Sequence, residues 1–366
     1  MAVTRNPSKT SRPGGLIRPG GLVRPGITAA PLPKVEIDAR TVYDFLISAC
    51  PTCGEPDELL PEDRAWVERA QAAMIPELGA NSLASECLEF VSELGPFVVA
   101  HPELKTPADL VKAVDRLSDV ELRDVLLMEL AESPEFGELT RRAVDGDDAA
   151  YAQLTGQLLS HKGRSVLSGT IEDLAPAARA VLHAWLPQFA QIEDRLARVL
   201  NRDVAGRPLE EADRDPIGFV ERATNGIRLV PERGIRRIVL APSYFGRPYN
   251  SLTKAGDTQL ICYPVADDAV GAASRTTPPT ATVRLYRALG DETRLQILRL
   301  LADRDRYMTE LANELDLSKP TISHHLAQLR SAGLVTLTEQ GNLTYYSLRR
   351  DRVAEAGPEL SAFLAH

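Results

Sequence analysis

The sequence predicts a mostly α-helical fold with small antiparallel sheets: a multi-helix N-terminal domain carrying a β-rich segment, then a separate C-terminal module. Three observations lead there. From Val35 to about Gly206, apolar residues recur at spacings of three and four, the helical period. After Asp215 the texture changes to short runs rich in β-branched and aromatic residues, separated by turn signals. Beyond a Gly/Ser/Thr/Pro stretch at 269–279 the helical period returns and closes on a hairpin pattern. The 366 residues, 44% of them hydrophobic, suffice for two or three domains with sizeable cores.

Residues 1–33 read as a disordered arm. The hexad Arg12-Pro-Gly-Gly-Leu-Ile17 returns as Arg18-Pro-Gly-Gly-Leu-Val23, and Gly and Pro recur too often for a helix or core strand. The arm carries five positive charges and no acid, so it is either a basic arm drawn to phosphates or a solvated tail. Residues 35–268 make the helical, then β-rich domain, with a sensory or oligomerising role. Its helices are expected at 41–49, 62–74, 82–94, 107–117, 120–131 and 149–159. A longer one from 176 to about 204 should be kinked or split by Pro187. Strands are expected at 227–230, 235–240, 249–253 and 258–263, forming an antiparallel sheet packed on the helices. Residues 269–279 are the linker.

Residues 280–366 carry the clearest pattern. Asp291 is a good N-cap for a helix whose stripe is Leu295, Leu298 and Leu301. A short helix over 308–315 and a turn at Asp316-Leu-Ser318 follow. A second helix over 319–332 has Ser318 as cap and Pro320 in its first turn, and Gly333 ends it. Strands 334–338 and 344–348 flank a hairpin turn. Helix, turn, helix and hairpin make a winged helix-turn-helix. On the second helix Ile322, Leu326 and Leu329 share one face. The opposite face holds Pro320, Thr321, His324, Ala327 and Gln328, which suits a helix entering a major groove. His325, on the flank of the apolar stripe, reads as a packed histidine.

These residues resemble the ArsR family of bacterial winged-helix repressors. The resemblance rests on Leu289-Gly-Asp-Glu-Thr-Arg-Leu-Gln-Ile-Leu298, Leu317-Ser-Lys-Pro-Thr-Ile-Ser-His-His-Leu326, Leu329-Arg-Ser-Ala-Gly-Leu-Val335, Gly341 and Tyr345-Tyr346, about 85 residues in all. It implies a homodimer on an inverted-repeat operator of double-stranded DNA. The recognition residues then fall on Ser318, Lys319, Thr321, Ser323, His324 and Gln328. Arg330 and, on the wing, Gln340 and Asn342 complete the candidate set. Two features depart from the family. The wing carries Gln340 and Asn342 where a basic residue is usual, and the 310–315 helix has no thiol or imidazole, so the family's usual metal site is not built here.

Net charge, −9 overall, does not decide the partner. The arm carries +5 and residues 280–366 balance 11 bases against 11 acids, which leaves −14 in the middle of the chain. Cys50-Pro-Thr-Cys53-Gly54 resembles one knuckle of a zinc ribbon, but half a tetrahedral site needs two more ligands, and only Cys87 and His101 are near. The knuckle therefore stands as a loop, a zinc half-site or a redox pair. His161 and His183 are isolated. Tyr244, Phe245, Arg247, Tyr249 and Tyr263, beside Trp185, are either a ligand pocket or packing. No phosphate-binding, nucleophile-elbow or metalloprotease motif is present, so no enzyme and no cofactor are expected. The sequence is thus read as a cytoplasmic transcriptional regulator with no membrane partner. Its N-terminal domain would answer a small-molecule effector or protein partner. The alternatives are a protein-interaction module whose winged helix no longer binds DNA, and a CxxC zinc or redox sensor.

Overall fold

The computed structural model describes residues 31–50, 53–78, 90–132, 137–150, 152–154, 173–230, 234–271, 278–340 and 343–365. Residues 82–89 of the helix expected at 82–94, most of 149–159, nearly all of the arm and the centre of the linker lie outside these residues, as do Cys87, His161 and Asn342.

The chain opens with strand β1 (Lys34–Ile37), then α1 (Thr41–Ala49) and α2 (Pro61–Leu78). A 3₁₀ turn over Phe90–Leu94 leads into α3 (Gly95–Ala100). Next come α4 (Pro107–Val114), α5 (Asp119–Glu132), α6 (Gly137–Val144), α7 (Leu174–Phe189) and α8 (Glu193–Ala205). The stretch from 176 to about 204 is split into α7 and α8: Pro187 lies inside α7, which ends two residues later at Phe189.

Past α8 the chain forms two short helices, α9 (Glu210–Arg214) and α10 (Pro216–Ala223), that the sequence reading missed. The signal for α10 was present: Asp215 caps it by accepting from the Gly218 amide at 2.9 Å, with Pro216 at its first position. Strands β2 (Ile227–Leu229), β3 (Arg237–Ser243), β4 (Ser251–Ala255) and β5 (Thr258–Pro264) follow, then α11 (Asp267–Val270).

The expected antiparallel sheet is in fact mixed. Its order is β1-β3-β5-β4, with β1, β3 and β5 parallel and only the β4–β5 hairpin antiparallel. The reason is burial on both faces. Val239, Ala241, Leu260 and Cys262 enter the large helical core, while Ile238, Leu240, Ile261 and Tyr263 pack with Phe219 and Val220 of α10 on the other side. Central strands covered on both faces favour parallel pairing and near-continuous apolar runs. β1 falls at the start of the stretch with the helical period but is a strand. Its Val35 and Ile37 pack on the α10 side of the sheet.

The C-terminal region comprises α12 (Thr280–Leu289), α13 (Glu292–Asp303), β6 (Arg306–Tyr307), α14 (Met308–Leu315), α15 (Lys319–Ser331), β7 (Val335–Gln340), β8 (Leu343–Leu348) and α16 (Arg350–Leu364). The last helix runs through Gly357-Pro358. Arg352 ties its two halves by donating to Glu355 and to Glu359.

β2 does not join the first sheet. It pairs in parallel with β7, extending the wing sheet to β2-β7-β8-β6. Asn225 (φ 55°) and Gly226 (φ 119°) turn the chain into it, and the Gly226 carbonyl accepts from the Leu337 amide at 2.9 Å. A Cβ at Gly226 would stand 3.2 Å from the Val335 carbonyl oxygen, so both conformation and space call for glycine. The two parts of the chain also meet through charge. Arg284 of α12 donates to Glu58 at 2.9 Å and Arg287 reaches Asp57 at 3.3 Å.

Candidate nucleic-acid interface

The helix-turn-helix is set by three local devices. Asp291 caps α13 by accepting from the Arg294 amide at 2.9 Å, and Ser318 caps α15 by accepting from the Thr321 amide at 3.3 Å. Between them Asp316 takes a left-handed conformation (φ 53°), which lets the Leu317 amide return to the Ala312 carbonyl at 3.0 Å. Ile322, Leu326 and Leu329 are fully buried against Leu285, Ile297, Leu311 and Val335. At about 25 cal/mol per Å², such a side chain contributes roughly 1.5–3 kcal/mol, which is what seats α15.

The opposite face is open. Ser318, Lys319, Thr321, Ser323 and His324 are all exposed on the first turns of α15, so the structure brings these five together. The unpaired N–H groups of a helix start face the same way, favourable for an anionic phosphate. Gln328 and Arg330, further along, are half-buried. Gln328 has partners at both ends of its amide: its oxygen accepts from Arg294 and its nitrogen approaches His324 Nε2 at 2.9 Å. Gln340 ends β7.

His325 packs as expected. Burial holds its ring below the usual histidine range, against the opposing pull of Asp291, 3.7 Å away. The nearby backbone amide of Arg294 holds Asp291 below the usual carboxylate range. Arg294 was missed by sequence reasoning. Its guanidinium spans from the end of α12 to Gln328, a contact between residues 34 apart that no local spacing announces.

In the N-terminal part, Cys50 and Cys53 are joined in a disulfide at the C-terminal end of α1. A bonded pair offers no thiolate to a metal, and among the described residues no three potential ligands converge. The aromatic candidates divide. Trp66, Trp185, Tyr244 and Phe245 pack ring on ring, with Trp66 5.5 Å from Trp185 and 5.6 Å from Phe245. Tyr263 instead donates to Asp203 on the other side of the sheet, and Tyr249 donates to Glu55. His183 is not isolated: its Nε2 is 2.9 Å from Asp115 Oδ1, across α7 and the end of α4.

Residues 291–336 match the family described as "Bacterial regulatory protein, arsR family". The chain is 40% identical over 73 residues to the HTH-type transcriptional regulator KmtR of Mycobacterium tuberculosis, covering 20% of this chain and 56% of that one. It is 42% identical over 72 residues to the uncharacterized HTH-type transcriptional regulator MJ1325 of Methanocaldococcus jannaschii, covering 19% of this chain and 81% of that one. It is 39% identical over 64 residues to the transcriptional repressor SdpR of Bacillus subtilis, covering 18% and 71%. All three matches cover about a fifth of this chain, and they are regulators rather than enzymes. No helix among the described residues is long and apolar enough to cross a membrane. Through its C-terminal module, the chain belongs to the ArsR family of bacterial regulatory proteins.

Proposed function

We propose that the chain is a dimeric transcriptional repressor that inserts α15 of each subunit into the major groove of an inverted-repeat operator. The observation that carries this reading is the division of α15. Ile322, Leu326 and Leu329 are locked in the core, and a capped, polar N-terminal half stands exposed opposite them. Ser318, Lys319, Thr321, Ser323 and His324 form the groove-facing set, and Arg330 lies further along the same helix. Dimerisation through α12 and α16 is supported by apolar side chains left uncovered there: Tyr286, Val353, Leu360 and Leu364, the last 72% exposed, on a helix with no buried residue. Repression draws its support from SdpR, while an activator stands among relatives of the same identity. The body formed by residues 31–271 is proposed as the sensing part, since Glu58, Asp57 and β2 all hold the DNA-binding module directly.

Selection from random duplexes with the full chain tests the reading. It should return an inverted repeat with half-site centres about 10 base pairs apart, and light scattering should give a dimer. A monomer at micromolar concentration overturns the two-fold arrangement. A reporter driven from the selected site then fixes the sign of regulation. One specific observation favours the rival, a module that binds protein instead: the DNA-facing surface has few cations, with Lys319 the one basic residue among the five exposed groove-facing side chains. That rival requires selection to return no consensus.

A further inference from the structure

One inference rests on the reading of α15 as the groove-entering helix and sharpens it. We propose that Arg294 and Gln328 are positioning residues that fix the ring proton of His324, and that His324 reads the N7 acceptor of a purine. The argument is one of donors and acceptors. A guanidinium can only donate. Arg294 spends Nε on the Ala288 carbonyl at 2.8 Å and Nη2 on the Arg287 carbonyl at 2.7 Å, which holds it against the end of α12. Its Nη1 donates to Gln328 Oε1.

With the amide oxygen taken by a donor, the amide orientation follows, and its NH₂ group faces His324 Nε2 at 2.9 Å. An amide NH₂ also only donates, so Nε2 accepts and the ring carries its proton on Nδ1. His324 is exposed on the open face of α15 and offers that Nδ1–H as a donor. In the major groove N7 of guanine and N7 of adenine are acceptors, so a single donor of this kind suits a purine. Gln328, with both ends of its amide engaged inside the protein, is not available for the bidentate contact a glutamine makes with adenine. It acts through His324.

Two measurements on the full chain test this. The first needs no DNA. With histidine-selective ¹⁵N labelling, the His324 signal, assigned by its loss in His324→Ala, should report Nδ1–H, and Gln328→Leu should populate both tautomers. A proton on Nε2 in the unmodified chain overturns the clamp. The second uses the duplex recovered by selection, with each purine replaced in turn by its 7-deaza analogue. One purine per half-site should cost roughly three- to tenfold in affinity, the range of one hydrogen bond, and that loss should vanish in His324→Ala. Arg294→Lys, which keeps a donor, should retain the purine preference, whereas Arg294→Met should lose it at that position alone. If every 7-deaza duplex binds like its parent, the base assignment is wrong. If selection recovers no site, the DNA reading and the base assignment fall together, and the tautomer measurement still decides the clamp.

Discussion

The body of residues 31–271 and the C-terminal module treat charge differently. The body keeps Asp44, Asp63, Asp203 and Arg247 buried, each held by partners distant in sequence. In the module the core is apolar, and its charged residues lie outside it, with Arg306 the one buried charge among the described residues. A core of apolar stripes is specified by spacing alone, whereas a core containing ionised groups is specified by where each donor and acceptor ends up. The core of the module is therefore readable from spacing, whereas that of the body depends on its own set of contacts.

The largest expected effect tests that contrast. Asp203 accepts from Arg207 at 2.7 and 2.9 Å, from Tyr263 at 2.7 Å and from the Ala266 amide at 2.8 Å. Asp203→Ala leaves a largely buried guanidinium without its acceptor and should cost about 3–5 kcal/mol in chemical denaturation. Glu310→Ala, which breaks the exposed pair with Arg304 and removes the acceptor of the Tyr307 amide at the start of α14, should cost less, about 0.5–2 kcal/mol. Equal losses would erase the distinction between the two regions.

The second test concerns their join. Gly226→Ala places a side chain at a φ of 119°, close to Val335, and should cost about 1–3 kcal/mol at the β2–β7 pairing. Calorimetry should show one cooperative transition in the unmodified chain and two in this variant. Two transitions in both would show that β2 does not couple the parts.

Protonation should separate them by sign. Burial lifts the Asp44 carboxyl from 3.8 to about 6, against the three hydrogen bonds it accepts from Ser243, Tyr244 and Phe245. The folded state then holds that proton more tightly than the unfolded one, so the contribution of Asp44 is full below 3.8 and is lost as pH rises to about 6. Burial lowers His325 below 6.5, so its contribution is full above 6.5 and is lost as pH falls. Between pH 7 and 5, hydrogen-exchange protection corrected for intrinsic rate should rise around α1 and fall around α15. Asp44→Asn and His325→Gln should each flatten the change in their own region. A change of the same sign in both regions contradicts the assignment.

The smallest effect concerns the arm. Deleting residues 1–33 removes five positive charges and should flatten the slope of log affinity against log salt by roughly one to three units, about 0.9 per phosphate contact. Base preference should stay unchanged, because phosphate contacts carry no sequence information. An identical slope would make the arm a passive tail.

What could be read in the sequence follows the same contrast. The bounds of α1 and the core-facing residues of α15 came from apolar spacing, and the caps Asp291 and Ser318 from residue type. The parallel sheet did not, because β3 and β5 are joined through β4 on the far edge and nothing local marks that crossing. Nor did the transfer of β2 to the wing, which depends on Asn225 and Gly226 turning the strand away from its neighbours in sequence. In the candidate interface the exposed set from Ser318 to His324 was readable. The supporting role of Gln328 was not, because it depends on Arg294, which reaches it from another helix.

The most direct test of the central claim is the ratio of affinities of the full chain for its selected duplex and for a scrambled duplex of the same composition, measured at physiological salt. A groove-reading α15 predicts a ratio of about a thousandfold or more, reduced uniformly by salt and sharply by substitutions at Thr321 and His324. A ratio near one would contradict the account and leave the winged helix as a protein-binding module.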